Sequence, residues 1–178
     1  MAVRHCIERS FSTFSSPPHS LAKNSSKLTP KRRSRLSEES VSERLAAVRR
    51  ALTDRDLTAL IVTTGDPHMS EYLPENWALR RYLTGFTGSA GTLIVTANEA
   101  LLWTDSRYWD QAARETAGTG ITVMQAGKED VPTPRAWLAM NLADDSHVGV
   151  DFATVAAERL EHLETEMAAK SVTVEDTE

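Results

Sequence analysis

The chain has 178 residues, 40% of them hydrophobic and 6% aromatic, with a net charge of -5, which suits one ordinary globular domain with some chain to spare. No run approaches the roughly 18 consecutive apolar residues of a membrane span, so no membrane partner is expected. The single cysteine, Cys6, excludes an internal disulfide and any paired-cysteine metal spacing, and a reducing, cytoplasmic setting is the expectation.

The charge is unevenly spread. Residues 1–37 hold eight Lys/Arg against one acid, Glu8, a net +7 that leaves -12 on the remainder. An acidic body is a poor partner for phosphate backbones, so no nucleic-acid role is expected of it, and the basic part is a tail. Residues 1–40 are Ser-rich, with Pro17-Pro18, Pro30 and the run Lys31-Arg32-Arg33-Ser34-Arg35. Their few apolar residues cannot offset the entropy of ordering, which predicts disorder. Three readings of the tail stand side by side: an organellar transit peptide, a basic nuclear or nucleic-acid arm, and an extension without function.

Order is expected from Ser40–Val41, with Ser42 as the cap of a helix carrying Leu45, Val48, Ala51 and Leu52 at helical spacing. Thr58–Thr64 is an apolar run rich in β-branched residues, the pattern of a strand buried on both faces, and Gly65-Asp66-Pro67 breaks it. His68–Pro74 reads as loop and Asn76–Leu83 as a short helix. Gly91–Thr96 and Ala100–Thr104 read as strands joined through Ala97-Asn98-Glu99 into a hairpin. A helix over Ser106–Ala117, a strand over Ile121–Met124 and a helix over Pro132–Asn141 follow. A strand at His147–Val150, with Gly149 inside it, precedes a helix at Thr154–Ala169 with the stripe Leu160, Leu163 and Met167, and Val172–Val174 is the last strand. Strands alternating with helices predict an α/β domain with helices on both faces of its sheet, and the hairpin makes that sheet mixed.

Chemistry concentrates in Tyr82–Arg107. The spacing Gly85-x-x-Gly88-Ser89-x-Gly91 precedes a strand rather than a helix, so it is neither a dinucleotide fingerprint nor a phosphate loop. It reads as a tight turn needing positive φ angles. Asp66, His68 and Glu71 lie close together in sequence, but their spacing is not a zinc pattern, and a loop with satisfied polar groups accounts for them better. His147 and His162 read as structural or solvent-exposed. Asp105 and Arg107 end a strand and begin a helix. One reading makes Asp105 or Ser106 the helix N-cap, and the other projects the Arg107 guanidinium outward to hold a carboxylate or carbonyl. No Gly-x-Ser-x-Gly elbow supports a serine nucleophile.

Four blocks then occur in order: Thr64-Gly65-Asp66-Pro67-His68-x-Ser70-Glu71-Tyr72, Tyr82-Leu83-Thr84-Gly85-Phe86-Thr87-Gly88-Ser89-Ala90-Gly91-Thr92, Leu102-Trp103-Thr104-Asp105-x-Arg107-Tyr108 and Val148-Gly149-Val150-Asp151. With them the chain from Val41 to about Val174 resembles the N-terminal domain of Xaa-Pro aminopeptidases (aminopeptidase P) of the creatinase/prolidase superfamily. The resemblance divides the chain into a tail, 1–40, and a creatinase N-terminal domain, 41–178. It implies a ribonuclease-H-like α/β fold that narrows the mouth of an active site and contributes to dimer contacts, so a homodimer is an expected partner. It also implies a peptide substrate with proline in second position, and it makes Arg107 the one substrate-binding residue expected here. The family's two divalent metals, typically manganese, are held by Asp, Asp, His, Glu and Glu of a C-terminal domain, and none of those five can be identified in this sequence. No catalytic residue, metal ligand or cofactor is therefore expected of this chain, and no peptidase activity of it alone. The alternative is a free-standing protein-interaction module on the same fold. An organellar location follows if residues 1–40 act as a transit peptide.

Overall fold

A computed structural model of the chain describes residues 39–70 and 72–177. The expectations for the tail up to residue 38, and for Glu71, fall outside these residues.

The chain opens with helix α1, Val41–Asp54. Its N-cap is Ser40 rather than Ser42. Ser40 Oγ accepts the Glu43 N–H at 3.3 Å, and the Glu43 carboxylate accepts the Ser40 N–H at 2.7 Å. This reciprocal box satisfies two donors that a helix start leaves open, and Ser42, two residues further on, already lies within the helix. Leu45, Val48, Ala51 and Leu52 form its buried face. Strand β1, Ala59–Val62, is shorter than the apolar run suggested. Thr63 and Thr64 leave the ladder and turn their hydroxyls onto the Thr154 and Gly91 carbonyl oxygens, at 3.0 and 2.9 Å.

A 3-10 turn at Glu75–Trp77 and helix α2, Leu79–Thr84, replace the single expected helix. Strands β2, Thr92–Thr96, and β3, Ala100–Thr104, form the expected antiparallel hairpin. Helix α3, Trp109–Glu115, starts later than expected. Strand β4, Thr122–Gln125, helix α4, Pro134–Asn141, and strand β5, His147–Val150, follow. The next helix, α5, begins at Ala157 rather than Thr154 and runs to Ala168. Asp151 accepts the Ala153 N–H and folds Phe152–Thr154 into a separate 3-10 turn first. Strand β6, Thr173–Asp176, completes the described chain.

The six strands form one mixed sheet in the order β4-β3-β2-β1-β5-β6. Strand β2 runs antiparallel to both its neighbours, and the other pairings are parallel. Side chains alternate across the pleat. Leu60, Val62, Leu93, Val95 and Leu102 pack on one face with α1 and Phe86. Ala59, Ile61, Ile94, Leu101, Trp103, Val148 and Val150 pack on the other with Leu138 of α4 and Leu163 and Met167 of α5. Burial on both faces is why the central strands read as unbroken apolar runs. Leu102 is fully buried in the first layer, so Leu102→Ala is expected to cost about 2–5 kcal/mol in denaturant unfolding. Met140→Ala, at a position 62% exposed, is expected to stay within about 0.5 kcal/mol of wild type in the same measurement.

Candidate functional site

The stretch singled out in the sequence closes around Arg80, a residue that the sequence reading passed over. Arg80 belongs to the short helix α2 and is 4% exposed. Its Nε donates to Thr64 Oγ1 at 2.8 Å, its Nη1 to the Phe86 carbonyl at 3.3 Å and its Nη2 to the Gly88 carbonyl at 2.5 Å. The guanidinium also lies 4.8 Å from the centroid of the Phe86 ring. Burial, aided by the neighbouring Arg81 and opposed by Glu115, lowers its pKa to about 10, so it remains charged at neutral pH. One buried cation thereby ties the end of β1 to the glycine-bearing loop. A signal existed in the sequence: Arg80 lies three and four residues before Leu83 and Thr84, on the face of α2 that the buried Leu83 marks.

The glycines of that loop have different reasons from the one expected. Of the three, Gly85 alone has a positive φ, 71°, as the left-handed C-cap of α2. At Gly88 the reason is space: a Cβ would lie 2.2 Å from the Phe86 ring and 3.0 Å from Tyr108. Phe86 and Tyr108 meet edge to face with centroids 6.0 Å apart, and the Tyr108 hydroxyl hydrogen-bonds to Ser89 Oγ at 2.8 Å. The glycine loop thus reaches the Trp-Thr-Asp-Ser-Arg-Tyr segment through an aromatic contact that glycine alone permits.

Asp105 does not cap a helix, and neither does Ser106. Helix α3 starts at Trp109, with Tyr108 in the cap position and no side-chain cap bond. Asp105 instead takes Arg107 in a forked pair: Oδ1 accepts the Nε–H at 2.9 Å and Oδ2 accepts Nη2–H at 2.8 Å, while Oδ1 also accepts the Arg107 backbone N–H at 3.1 Å. The pair holds the Asp105 carboxyl below its usual range and the Arg107 guanidinium above its own. The Arg107 side chain is 68% exposed, and its guanidinium lies 5.2 Å from the Tyr108 ring centroid. The guanidinium therefore projects outward as one reading expected, but it is pre-oriented by Asp105, and an incoming carbonyl or carboxylate would meet the Nη1 side of the fork.

Asp105 also lines a groove of about 650 Å³. The groove lies across the sheet edge where β1 and β3 end and β2 begins, with Thr64, Ser89, Gly91, Thr104 and Arg159 among its walls. The Thr104 hydroxyl donates to the Ala90 carbonyl at 2.7 Å, and Thr64 to Gly91, so the groove's polar rim is tied to the loop that Arg80 organises.

Asp66 and His68 are not brought to this groove. Asp66 is buried, and its Oδ1 accepts the backbone N–H groups of His68 and Ser70 at 2.8 and 3.2 Å. Its Oδ2 makes no hydrogen bond to the described residues. Burial opposes the charge, but the hydrogen bonds from Ser70 and His68 outweigh it and hold the carboxyl below the usual range. Among the described residues no three His, Cys, Asp or Glu side chains lie together as metal ligands would. His147 pairs with Glu175 across β5 and β6, and His162 is exposed on α5.

Two outcomes follow from this geometry. Arg80→Met removes the charge and orphans two buried carbonyls at about 1–3 kcal/mol each, so a loss of about 3 kcal/mol in denaturant unfolding is expected. Arg80→Lys recovers only part of it, since an ammonium cannot span the same planar set of acceptors. For Asp66, a pKa lowered by folding contributes stability above the unfolded value of about 3.9 and loses it as pH falls through the folded value. The melting temperature of wild type is therefore expected to fall more steeply below about pH 4 than that of Asp66→Asn.

Comparison with known proteins bears on the family and the fold. Residues 44–178 match the model of the creatinase/prolidase N-terminal domain. Aminopeptidase P2 of Arabidopsis thaliana is 40% identical over 133 residues, covering 74% of this chain and 19% of that protein. Xaa-Pro aminopeptidase 1 of Dictyostelium discoideum is 33% identical over 134 residues, covering 75% and 21%. The chain thus spans about a fifth of the length of these curated relatives. Among solved structures, the X-prolyl aminopeptidase of Caenorhabditis elegans, described as a cytosolic enzyme with a di-nuclear active site, superposes with a TM-score of 0.71 at 29% identity, over 77% of this chain and 24% of that one. The N-terminal creatinase/prolidase-like domain of a Corynebacterium diphtheriae metallopeptidase shares the fold, with a TM-score of 0.56 at 23% identity, over 77% and 95%. The expected mixed α/β fold and the relationship to Xaa-Pro aminopeptidases both stand, and the chain belongs to the creatinase/prolidase N-terminal domain family.

Proposed function

We propose that this domain serves a Xaa-Pro aminopeptidase as its non-catalytic N-terminal part, narrowing the approach to the peptide cleft and contributing to dimer contacts. In this reading Arg107 binds the peptide. The observation that carries it is the forked Asp105–Arg107 pair, whose Asp105 lines the groove. A guanidinium gripped on one edge keeps its direction while its other edge stays open, and a donor fixed before binding loses little entropy when it takes a carbonyl or carboxylate. The similarity to Xaa-Pro aminopeptidases supports a peptide with proline in second position as the ligand. The domain's part in the reaction is to orient the peptide and exclude competing approaches.

The two divalent metals implied by the family have no ligand set among the described residues, so no step of hydrolysis is assigned to this chain. A cytosolic site of action is part of the same proposal, supported by the cytosolic C. elegans relative. Among the described residues no helix is long and apolar enough to cross a membrane.

The test is a hybrid in which residues 39–178 replace the matching segment of the Arabidopsis relative, with circular dichroism to establish folding. The folded hybrid is expected to cleave Xaa-Pro peptides. Arg107→Ala is expected to raise KM by roughly tenfold, the value of one charge-assisted hydrogen bond, and Arg107→Lys to recover part of that loss. Unchanged kinetics in Arg107→Ala would remove the peptide-binding role.

A further inference from the structure

Beyond Asp105 the groove continues along the sheet edge into a second hollow of about 400 Å³, and the two share Thr63, Thr92, Pro134, Val155 and Arg159. Ile61 and Val150, from the carboxyl ends of the adjacent parallel strands β1 and β5, line the hollow. Ligands of open α/β sheets collect at that edge, because the helices that follow parallel strands start there.

The charge of this hollow is opposite to that of its surroundings. Residues 38–178 hold twice as many acids as Lys/Arg, yet no acid lines it. Its titratable side chains are Arg135 from the first turn of α4 and Arg159 and His162 from the first half of α5. Arg135 is partly engaged, with its Nε 3.5 Å from Glu166 Oε2. Arg159 is exposed, and its side chain makes no hydrogen bond or ion pair with the described residues. The Thr92 side chain is likewise without a hydrogen bond to the described residues. A free guanidinium beside apolar walls and an open hydroxyl has the composition of a carboxylate-anchoring pocket: apolar surface takes the aliphatic part of a ligand and the fork takes its charged end.

We propose that this hollow binds the C-terminal carboxylate of a short peptide through Arg159, with Arg135 reinforcing the positive field. The inference rests on the reading of the domain as a peptide-handling part. The groove that begins at Asp105 then carries a peptide along the sheet edge, with Arg107 reading its backbone at one end and Arg159 reading its free end at the other. The domain thereby favours short peptides with an unblocked terminus over the interior of longer chains.

The experiment uses the 178-residue chain and the tetrapeptide Gly-Pro-Ala-Ala, as the free acid and as the C-terminal amide, with Kd read from NMR titration at low ionic strength. The acid is expected to bind roughly tenfold more tightly than the amide, the share of one charge-assisted hydrogen bond. Arg159→Ala, at an exposed position that leaves the core intact, is expected to abolish that preference, and Arg159→Lys to retain part of it. Arg107→Ala is expected to weaken both peptides and leave their ratio unchanged. Equal affinities for acid and amide, an unchanged ratio in Arg159→Ala, or no measurable binding of either peptide would overturn the site. Restoration of affinity by Gly-Pro-Ala-Glu amide would also overturn it, by moving the charge from the chain end to a side chain. Failure here and failure of the function proposed above are separable. A hybrid that cleaves peptides while the chain shows no acid preference removes only the carboxylate site. An acid preference that depends on Arg159 beside a folded, inactive hybrid removes only the aminopeptidase reading.

Discussion

A buried guanidinium without a carboxylate partner organises this domain. Arg80 is taken from water into the space between β1 and the loop after α2, and its charge is compensated by a threonine hydroxyl, two carbonyl oxygens and an aromatic face. Burying a cation is costly unless its donors are met, so the loop is held where its carbonyls converge on the fork. The conformation of Phe86–Gly88 is therefore set by an interaction with a residue six to eight positions earlier. The loop's own glycines permit that conformation and do not choose it.

From that anchor the constraint passes outward. The Phe86 ring, fully buried under Arg80, meets Tyr108 edge to face, and the absence of a side chain at Gly88 lets the contact form. Tyr108 follows Arg107 directly, hydrogen-bonds to Ser89, and places its ring beneath the Arg107 guanidinium. An exposed ion pair such as Asp105–Arg107 contributes little to stability by itself, because water and salt screen it. Its value is directional, since the pair and the ring together restrict where a long, rotamer-rich side chain can point. The residue proposed to touch peptide is thus the exposed end of a series of contacts whose other end is buried.

The sheet gives this arrangement a location. Strand β2 runs against its neighbours, so the hairpin turn at Ala97–Glu99 and the entry to β2 lie at opposite edges of the sheet. The entry to β2 shares its edge with the carboxyl ends of β1, β3 and β5, where Thr64, Asp105 and Val150 stand. Both hollows of the groove open along this edge. The walls come from segments far apart in sequence, with Ser89 and Asp105 at one end and Arg135 and Arg159 at the other.

Much of the fold was legible in the sequence because its signals are local. The unbroken apolar runs of β2 and β3, the helical spacing of Leu45, Val48 and Leu52, and the stripe of Leu163 and Met167 each report burial within one element, and element type and order follow from them. Boundaries were less legible. Ser40 outcompeted Ser42 as a cap because Glu43 completes its box, and α3 lost its first turn because Asp105 spends its carboxylate on Arg107. The motif from Leu102 to Tyr108 marked Arg107, but the state of its guanidinium depended on a partner two residues away that the sequence also offered as a helix cap. The role of Arg80 and the convergence of Arg135 and Arg159 on one hollow from two helices were decided by tertiary structure alone. A buried charge is assigned by the acceptors that surround it in space, and those acceptors are backbone carbonyls and distant side chains that no local pattern encodes.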